Sequence, residues 1–186
     1  GEYIEAELST RKAIELNPDF ADAHYNLGII LKDLGKLQEA ELSYRKAIEI
    51  KPDFAEAHSN LGSILSDLGK LQEAELSTRK AIEINPNYAE AHSNLGNIFK
   101  DLGKLKDAEI SLRKAIEHNP DFAELYYNLG NILKNLGKLK DAELSTRKAI
   151  EIKPDYAEAH SNLGIILKDV GKLEEAELST RKAIKI

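Results

Sequence analysis

Asparagine occupies one position five times over, at Asn26, Asn60, Asn94, Asn128 and Asn162, with a constant spacing of 34 residues. A primary amide carries donors and an acceptor together, so it can pair with both the N–H and the C=O of an extended peptide without reading side chains. A row of such amides would form a ladder for backbone recognition. The rival account is a solvated helix surface on which asparagine is merely common. Asn97 and Asn131 add amides one turn further on, where other copies carry Ile29, Ser63 and Ile165, and with Tyr127 and Asn135 they make the middle of the chain rich in hydrogen-bonding groups. A second row, His24, His58, His92 and His160, suggests a metal or acid–base function, yet copies of one site a repeat apart do not converge on one ion. These imidazoles are expected to pack, each with one ring nitrogen satisfied. Serine, histidine and aspartate are all present, but nothing orders them into a triad. No catalytic residue, metal ligand or cofactor is expected, and the chain does not read as an enzyme.

The elements that must position these rows follow from the same period. All five prolines mark it, Pro18, Pro52, Pro86, Pro120 and Pro154, and ten of the eleven glycines keep it in two sets that begin at Gly28 and Gly35, Gly1 alone falling outside. Copies have drifted little: 55–84 and 157–186 differ only at Ser63/Ile165, Ser66/Lys168, Leu68/Val170, Gln72/Glu174 and Glu83/Lys185. At the turn angle of an α-helix, Ala57, His58, Leu61, Gly62, Ile64, Leu65 and Leu68 share one arc, and Glu56, Ser59, Asn60, Ser63, Ser66 and Asp67 share the opposite one. This amphipathic segment, helix A, has Asp53 three residues before Glu56, a capping-box spacing repeated at Asn87/Glu90, Asp121/Glu124 and Asp155/Glu158. Gly69 follows the last apolar residue, where a left-handed cap is needed. A second segment, helix B, runs from about Leu71 to Ile84 with Leu71, Ala74, Thr78, Ala81 and Ile82 on one stripe, and Pro86 ends it. Small residues at Gly62, Ala74 and Ala81 suit two helices in close approach, so the unit reads as an antiparallel hairpin.

The positions His58, Leu61, Gly62, Leu65, Ala74, Thr78, Ala81 and Pro86 resemble, in order, the eight signature positions of the tetratricopeptide repeat. The resemblance covers the chain, with His in place of the first aromatic, Leu or Phe in place of the second, and Thr in place of the third in several copies. It implies an all-α, right-handed superhelical solenoid of antiparallel helix pairs, with the polar arc of helix A lining a concave groove. The segment 52–62 and its relatives look most similar to the repeats of O-linked N-acetylglucosamine transferases and of bacterial tetratricopeptide proteins. In those transferases an asparagine ladder holds substrate polypeptide, and the five asparagines match it. The expected organisation is a single array over 1–186. A partial repeat at 1–20 supplies helix B only; full repeats follow at 21–54, 55–88, 89–122 and 123–156; a truncated last repeat at 157–186 has no capping helix.

Charge and composition narrow the partners. With 26 basic and 32 acidic side chains the net charge is −6, which disfavours nucleic acid and anionic membranes. No apolar run approaches the length of a membrane span. The absence of cysteine removes disulfides and thiolate metal sites and fixes no compartment; a cytoplasmic one is expected. Acidic rows at Glu56, Glu90, Glu124, Glu158 and at Asp33, Asp67, Asp101, Asp169, with Lys32, Lys100, Lys134 and Lys168 interleaved, read as a solvated face. They weigh against a clamp for a peptide carboxylate.

The functional expectation is a protein–protein interaction module that holds an extended polypeptide through Asn26, Asn60, Asn94, Asn97, Asn128, Asn131, Asn162 and Tyr127. Two other readings stand beside it: the substrate-recognition arm of a glycosyltransferase or sulfotransferase whose catalytic domain lies elsewhere, and a consensus-like scaffold without a ligand. Apolar residues left uncovered at the ends, Tyr3, Ala6 and Ala13 at one and Ala176, Ala183 and Ile184 at the other, predict homotypic association through terminal helices. One row, Leu8, Leu42, Leu76, Ile110, Leu144 and Leu178, falls opposite the stripe of helix B. It is expected to pack between successive B helices, with an apolar partner-binding strip as the alternative.

Overall fold

A computed structural model describes residues 2–186, apart from the side chain of Glu2. Among the described residues there are eleven α-helices and no strand. Five are A helices: α2 (Ala21–Asp33), α4 (Ala55–Asp67), α6 (Ala89–Asp101), α8 (Ala123–Asn135) and α10 (Ala157–Asp169). The B helices are α1 (Glu2–Leu16), α3 (Leu37–Ile50), α5 (Leu71–Ile84), α7 (Leu105–His118), α9 (Leu139–Ile152) and α11 (Leu173–Lys185). The chain divides into two compact units, the first ending at Asn94 and the second beginning at Leu95, within α6. In the first unit α2 packs on α3 and α4 on α5, with α1 against α2 and α3 against α4. In the second, α8 packs on α9 and α10 on α11, with α7 against α8 and α9 against α10.

The A-to-B turn is made by glycine. Gly35, Gly69, Gly103, Gly137 and Gly171 all have positive φ, between 72° and 83°, a conformation that costs glycine nothing because it has no Cβ. Around Gly69 its N–H bonds to Ser66 O (2.9 Å) while Lys70 N–H reaches back to Leu65 O (2.8 Å), the paired bonds of a Schellman cap. Three-residue turns of this kind oblige the two helices to run antiparallel. The second glycine set serves packing. A Cβ on Gly96 would lie 2.8 Å from Leu112 Cγ, one on Gly28 would lie 2.6 Å from the Tyr44 ring, and one on Gly62 would collide with Thr78 Oγ1. Leu61, Ile64 and Leu65 of α4 and Ala74, Thr78 and Ala81 of α5 are correspondingly buried.

Two expectations are corrected. The capping boxes do not form: Phe54 is the N-cap residue of α4 and makes no side-chain cap bond, and the same holds for Phe20, Phe122 and Tyr156. The turn closed by Phe54 N–H on Lys51 O (3.2 Å) places Asp53 one residue outside the cap, so its spacing to Glu56 is not the N-cap-to-N3 spacing a box needs. The leucine row does not pack between B helices. Leu8, Leu42, Leu76, Ile110, Leu144 and Leu178 are all exposed, Leu76 by 70%. Each B helix seats its buried side, Ala40, Tyr44 and Ala47 in α3 or Ala74, Thr78 and Ala81 in α5, on A helices, which leaves its opposite side in water.

Candidate functional site

Each A helix carries its asparagine one turn after the acidic residue of its first turn, Asp22 in α2 and a glutamate in the others, so Glu56 and Asn60 of α4, like Glu158 and Asn162 of α10, share a face. Asn26 is exposed, Asn60, Asn94 and Asn128 are half-buried, and Asn162 is buried. The amides in the row do not simply project into solvent. Asn60 Nδ2 donates to Tyr25 Oη (3.2 Å) and Asn94 Nδ2 to Ser59 Oγ (3.1 Å), each reaching the residue that precedes the asparagine of the preceding A helix. Asn162 differs: its Oδ1 accepts from Lys134 Nζ (2.9 Å), and its Nδ2 is buried without a partner. Asn97 and Asn131 lie half-buried one turn beyond Asn94 and Asn128 on α6 and α8.

Aromatic rings flank the row in both units. Tyr25 packs at a tilt against Phe54 (centroids 4.8 Å apart) and Tyr44 (5.9 Å); Tyr127 packs at a tilt against Tyr156 (5.1 Å). Burial first, then the carboxylates of Glu90 and Glu56, raise the pKa of Tyr25, against the hydrogen bond from Asn60. Burial also pushes Tyr156 up to about 12, aided by Glu124, Tyr127 and Glu158. Tyr88 is raised by burial and by Glu90, to whose Oε2 its hydroxyl donates (3.2 Å). The glutamates of the A-helix first turns thus surround the tyrosines. Glu56, Glu90, Glu124 and Glu158 make no ion pair among the described residues. Of these rings only Tyr127 was among the residues expected from sequence to bind. The aromatic one residue before an A helix, at 54, 88, 122 and 156, was the signal for Phe54, Tyr88 and Tyr156; nothing in the repeat pattern singled out Tyr25 and Tyr44.

The histidine row packs. Nε2 of His24, His58, His92 and His160 bonds to the carbonyl oxygen of Pro18, Pro52, Pro86 and Pro154, at 2.8, 3.0, 2.8 and 3.0 Å. A carbonyl only accepts, so Nε2 carries the proton and each ring fastens the inter-repeat turn to its A helix. Among the described residues no group of three or more His, Cys, Asp or Glu could hold a metal ion.

The B helices carry a second device that sequence reading missed. Glu41 accepts from Arg45 on its own helix (3.0 Å) and from Lys70 of the next turn (2.8 Å), while Arg45 also reaches Glu73 of the next B helix (2.7 Å). The same triangle recurs at Glu7, Arg11, Lys36 and Glu39, and at Glu143, Arg147, Lys172 and Glu175. Burial pushes the Glu41 carboxyl up, and the hydrogen bonds from Lys70 and Arg45 outweigh it and hold its pKa low. At Glu143 the Lys172 hydrogen bond is the leading cause of the same lowering. The triangles tie one repeat to the next.

Sequence comparison agrees with this architecture. The tetratricopeptide repeat matches at residues 21–54 and 123–156, a related TPR repeat at 1–35, 62–103 and 96–137, and a third form at 43–75 and 146–177. The chain belongs to the tetratricopeptide-repeat family, whose fold is a protein–protein interaction scaffold and whose repeats are generally not enzymatic. Among solved structures it is similar to MamA, with 27% identity over 86% of this chain and 93% of that one and a TM-score of 0.77. It is also similar to YrrB, described as a TPR protein with an unusual peptide-binding site, with 27% identity over 95% of this chain and 91% of that one and a TM-score of 0.74. The pilF protein of Pseudomonas aeruginosa shares the fold at 21% identity, over 89% of this chain and 75% of that one, with a TM-score of 0.83. No curated protein matches.

Proposed function

We propose that the chain binds an extended polypeptide along its A-helix face, through the asparagine row flanked by tyrosine rings. The observation that supports this most directly is the bonding of Asn60 and Asn94. Each spends one N–H on the preceding A helix, which fixes the plane of the amide, and each keeps a second N–H and a carbonyl oxygen, enough to pair with a peptide C=O and N–H. An amide already held in place loses less freedom when a ligand arrives. The first-turn glutamates, which have no cation beside them, set the ligand's charge: neutral or basic segments fit this face, and segments ending in clustered carboxylates do not. The likeness to YrrB, itself described as peptide-binding, is consistent with this reading.

The test is calorimetric titration with a peptide selected from an array of short peptides. Replacing Asn60 and Asn94 together by Ala is expected to weaken binding by about 1–3 kcal/mol, each lost amide contact being worth about 0.5–1.5. Tyr25→Phe, which leaves Asn60 in place but releases its amide, is expected to cost less than Asn60→Ala. Unchanged affinity in the double variant, with helix content intact, removes the ladder.

A further inference from the structure

One amide of the asparagine row shows how a lysine seats on it. In the second unit Asn162 of α10 accepts from Lys134 Nζ of α8 through Oδ1 (2.9 Å), across a separation of 28 residues. The same register pairs Asn60 with Lys32 and Asn128 with Lys100, but Asn94 with Ser66. Lys32 is exposed and Lys100 turns to Asp101 (3.4 Å), so a lysine at this place can seat on the amide or leave it. Asn94 has no such lysine in its own chain. Its amide is nevertheless turned the required way. Nδ2 donates to Ser59 Oγ (3.1 Å), which leaves Oδ1 facing away from Ser59, as an acceptor with both lone pairs to offer.

We propose that Asn94 and Ser66 form a subsite for a lysine side chain of the bound peptide, whose ammonium takes on Asn94 Oδ1 the place that Lys134 takes on Asn162. This deepens the reading of the asparagine row as a peptide site and rests on it. Three features select a lysine. The contact exists within the chain one place further along the row, so its geometry is one this fold accommodates. Ser63 and Ser66 are smaller than Asn131 and Lys134, which hold the matching positions in the second unit, and so leave room for a side chain from outside. The nearby charge is negative, since Asp67 follows Ser66 on α4 and Glu90 stands one turn before Asn94 on α6, both exposed. An ammonium has three N–H groups, and an amide oxygen, a serine hydroxyl and a carboxylate are acceptors for them.

Peptides that the wild type retains on an array of short peptides are expected to be enriched in lysine. One of them, and its analogue with the anchoring lysine replaced by methionine, are then titrated against the wild type and S66K at about 0.5 M salt, where repulsion at a distance is screened. The introduced lysine is expected to reach Asn94 as Lys134 reaches Asn162 and to displace the peptide's own. It should weaken the lysine peptide roughly tenfold, about the worth of one charged hydrogen bond, and leave the methionine analogue unchanged. S66M, which adds bulk without charge, is expected to affect both peptides equally, and circular dichroism checks that each variant is folded. If Asn60→Ala with Asn94→Ala leaves affinity unaltered, the row does not bind peptide and the subsite falls with it. If that variant binds weakly while S66K costs the two peptides equally, or if the retained peptides are not enriched in lysine, the row stands and the lysine subsite alone is overturned.

Discussion

The two faces of the repeat use the same residue type to opposite ends. On the B helices, glutamates at 7, 41, 109 and 143 are nearly buried and enclosed by Arg and Lys from two successive repeats. On the A helices, glutamates at 56, 90, 124 and 158 stand in the first turn, exposed, without a cation. Both placements are locally favourable, one through charge-assisted hydrogen bonds and the other through the positive end of the helix dipole. Only the first ties repeat to repeat. The second leaves negative charge beside tyrosines and oriented amides, where a partner can use it. Carboxylate charge on one face thus holds repeats together, and on the other it stands without a cation, which is the charge the proposed peptide binding would use.

The largest effect that would break this contrast is on stability. Glu41→Ala with Glu143→Ala, one in each unit, leaves Arg45, Lys70, Arg147 and Lys172 without their shared acceptor. Charged hydrogen bonds at nearly buried sites are worth about 1.5–3 kcal/mol, and the half-exposed partners reduce this to about 1–2 per site. Distant sites add, so urea unfolding is expected to lose roughly 2–4 kcal/mol. Glu56→Ala with Glu158→Ala is expected to cost about 1 kcal/mol or less, the scale of helix-dipole and surface terms. Equal losses from the two pairs would show that the faces do not differ in this way.

A second effect, smaller and confined to binding, sharpens the contrast. A bound peptide in which one lysine is exchanged for glutamate is expected to lose about 0.5–1 kcal/mol per first-turn glutamate it had faced, the worth of an exposed pair. The loss should shrink as ionic strength rises past the point where the Debye length is about 8 Å. Titrations of the two peptides at low and high salt give the result. Identical affinities would show that the A-face charge is not felt by the ligand.

Much of this was legible in the residues. The helix pair, the left-handed glycine at 69 and the close approach at Gly62 all follow from a period, an arc and the lack of a side chain, and the histidines are packed as their arc demanded. What was not legible depends on the stacking of one repeat on the next. The Arg45–Glu73 pair spans 28 residues and the Lys70–Glu41 pair 29, separations that bring charges together only when neighbouring hairpins lie side by side, and no wheel drawn for a single helix shows them. The asparagine row was visible as a row, but its bonds to Tyr25 and Ser59 were hidden for the same reason. Asp53 misled because a capping box is judged on spacing, while the true helix start is set by a turn that closes one residue later. The leucine row misled because solvation of a B helix on its far side looks, in sequence, the same as burial between helices.

The smallest effect concerns acid. The carboxyls of Glu41 and Glu143 titrate below their ordinary value of 4.5 in the folded chain, so the folded state binds their protons less readily than the unfolded chain does. Stability from this source is present above the unfolded pKa and is lost as pH falls through the folded one. Glu41→Gln with Glu143→Gln keeps a carbonyl acceptor for Lys70 and Lys172 but removes the titration. Near pH 7 the wild type is expected to melt roughly 2–4 °C higher for each kcal/mol its carboxylates contribute beyond the amides. That gap should narrow as the pH drops below about 4.5 and vanish once both carboxyls are protonated. Calorimetric scans of the two proteins between neutral and acid pH decide it. A gap that stays constant, or widens on acidification, would mean that the charge on the enclosed glutamates contributes nothing to holding one repeat against the next.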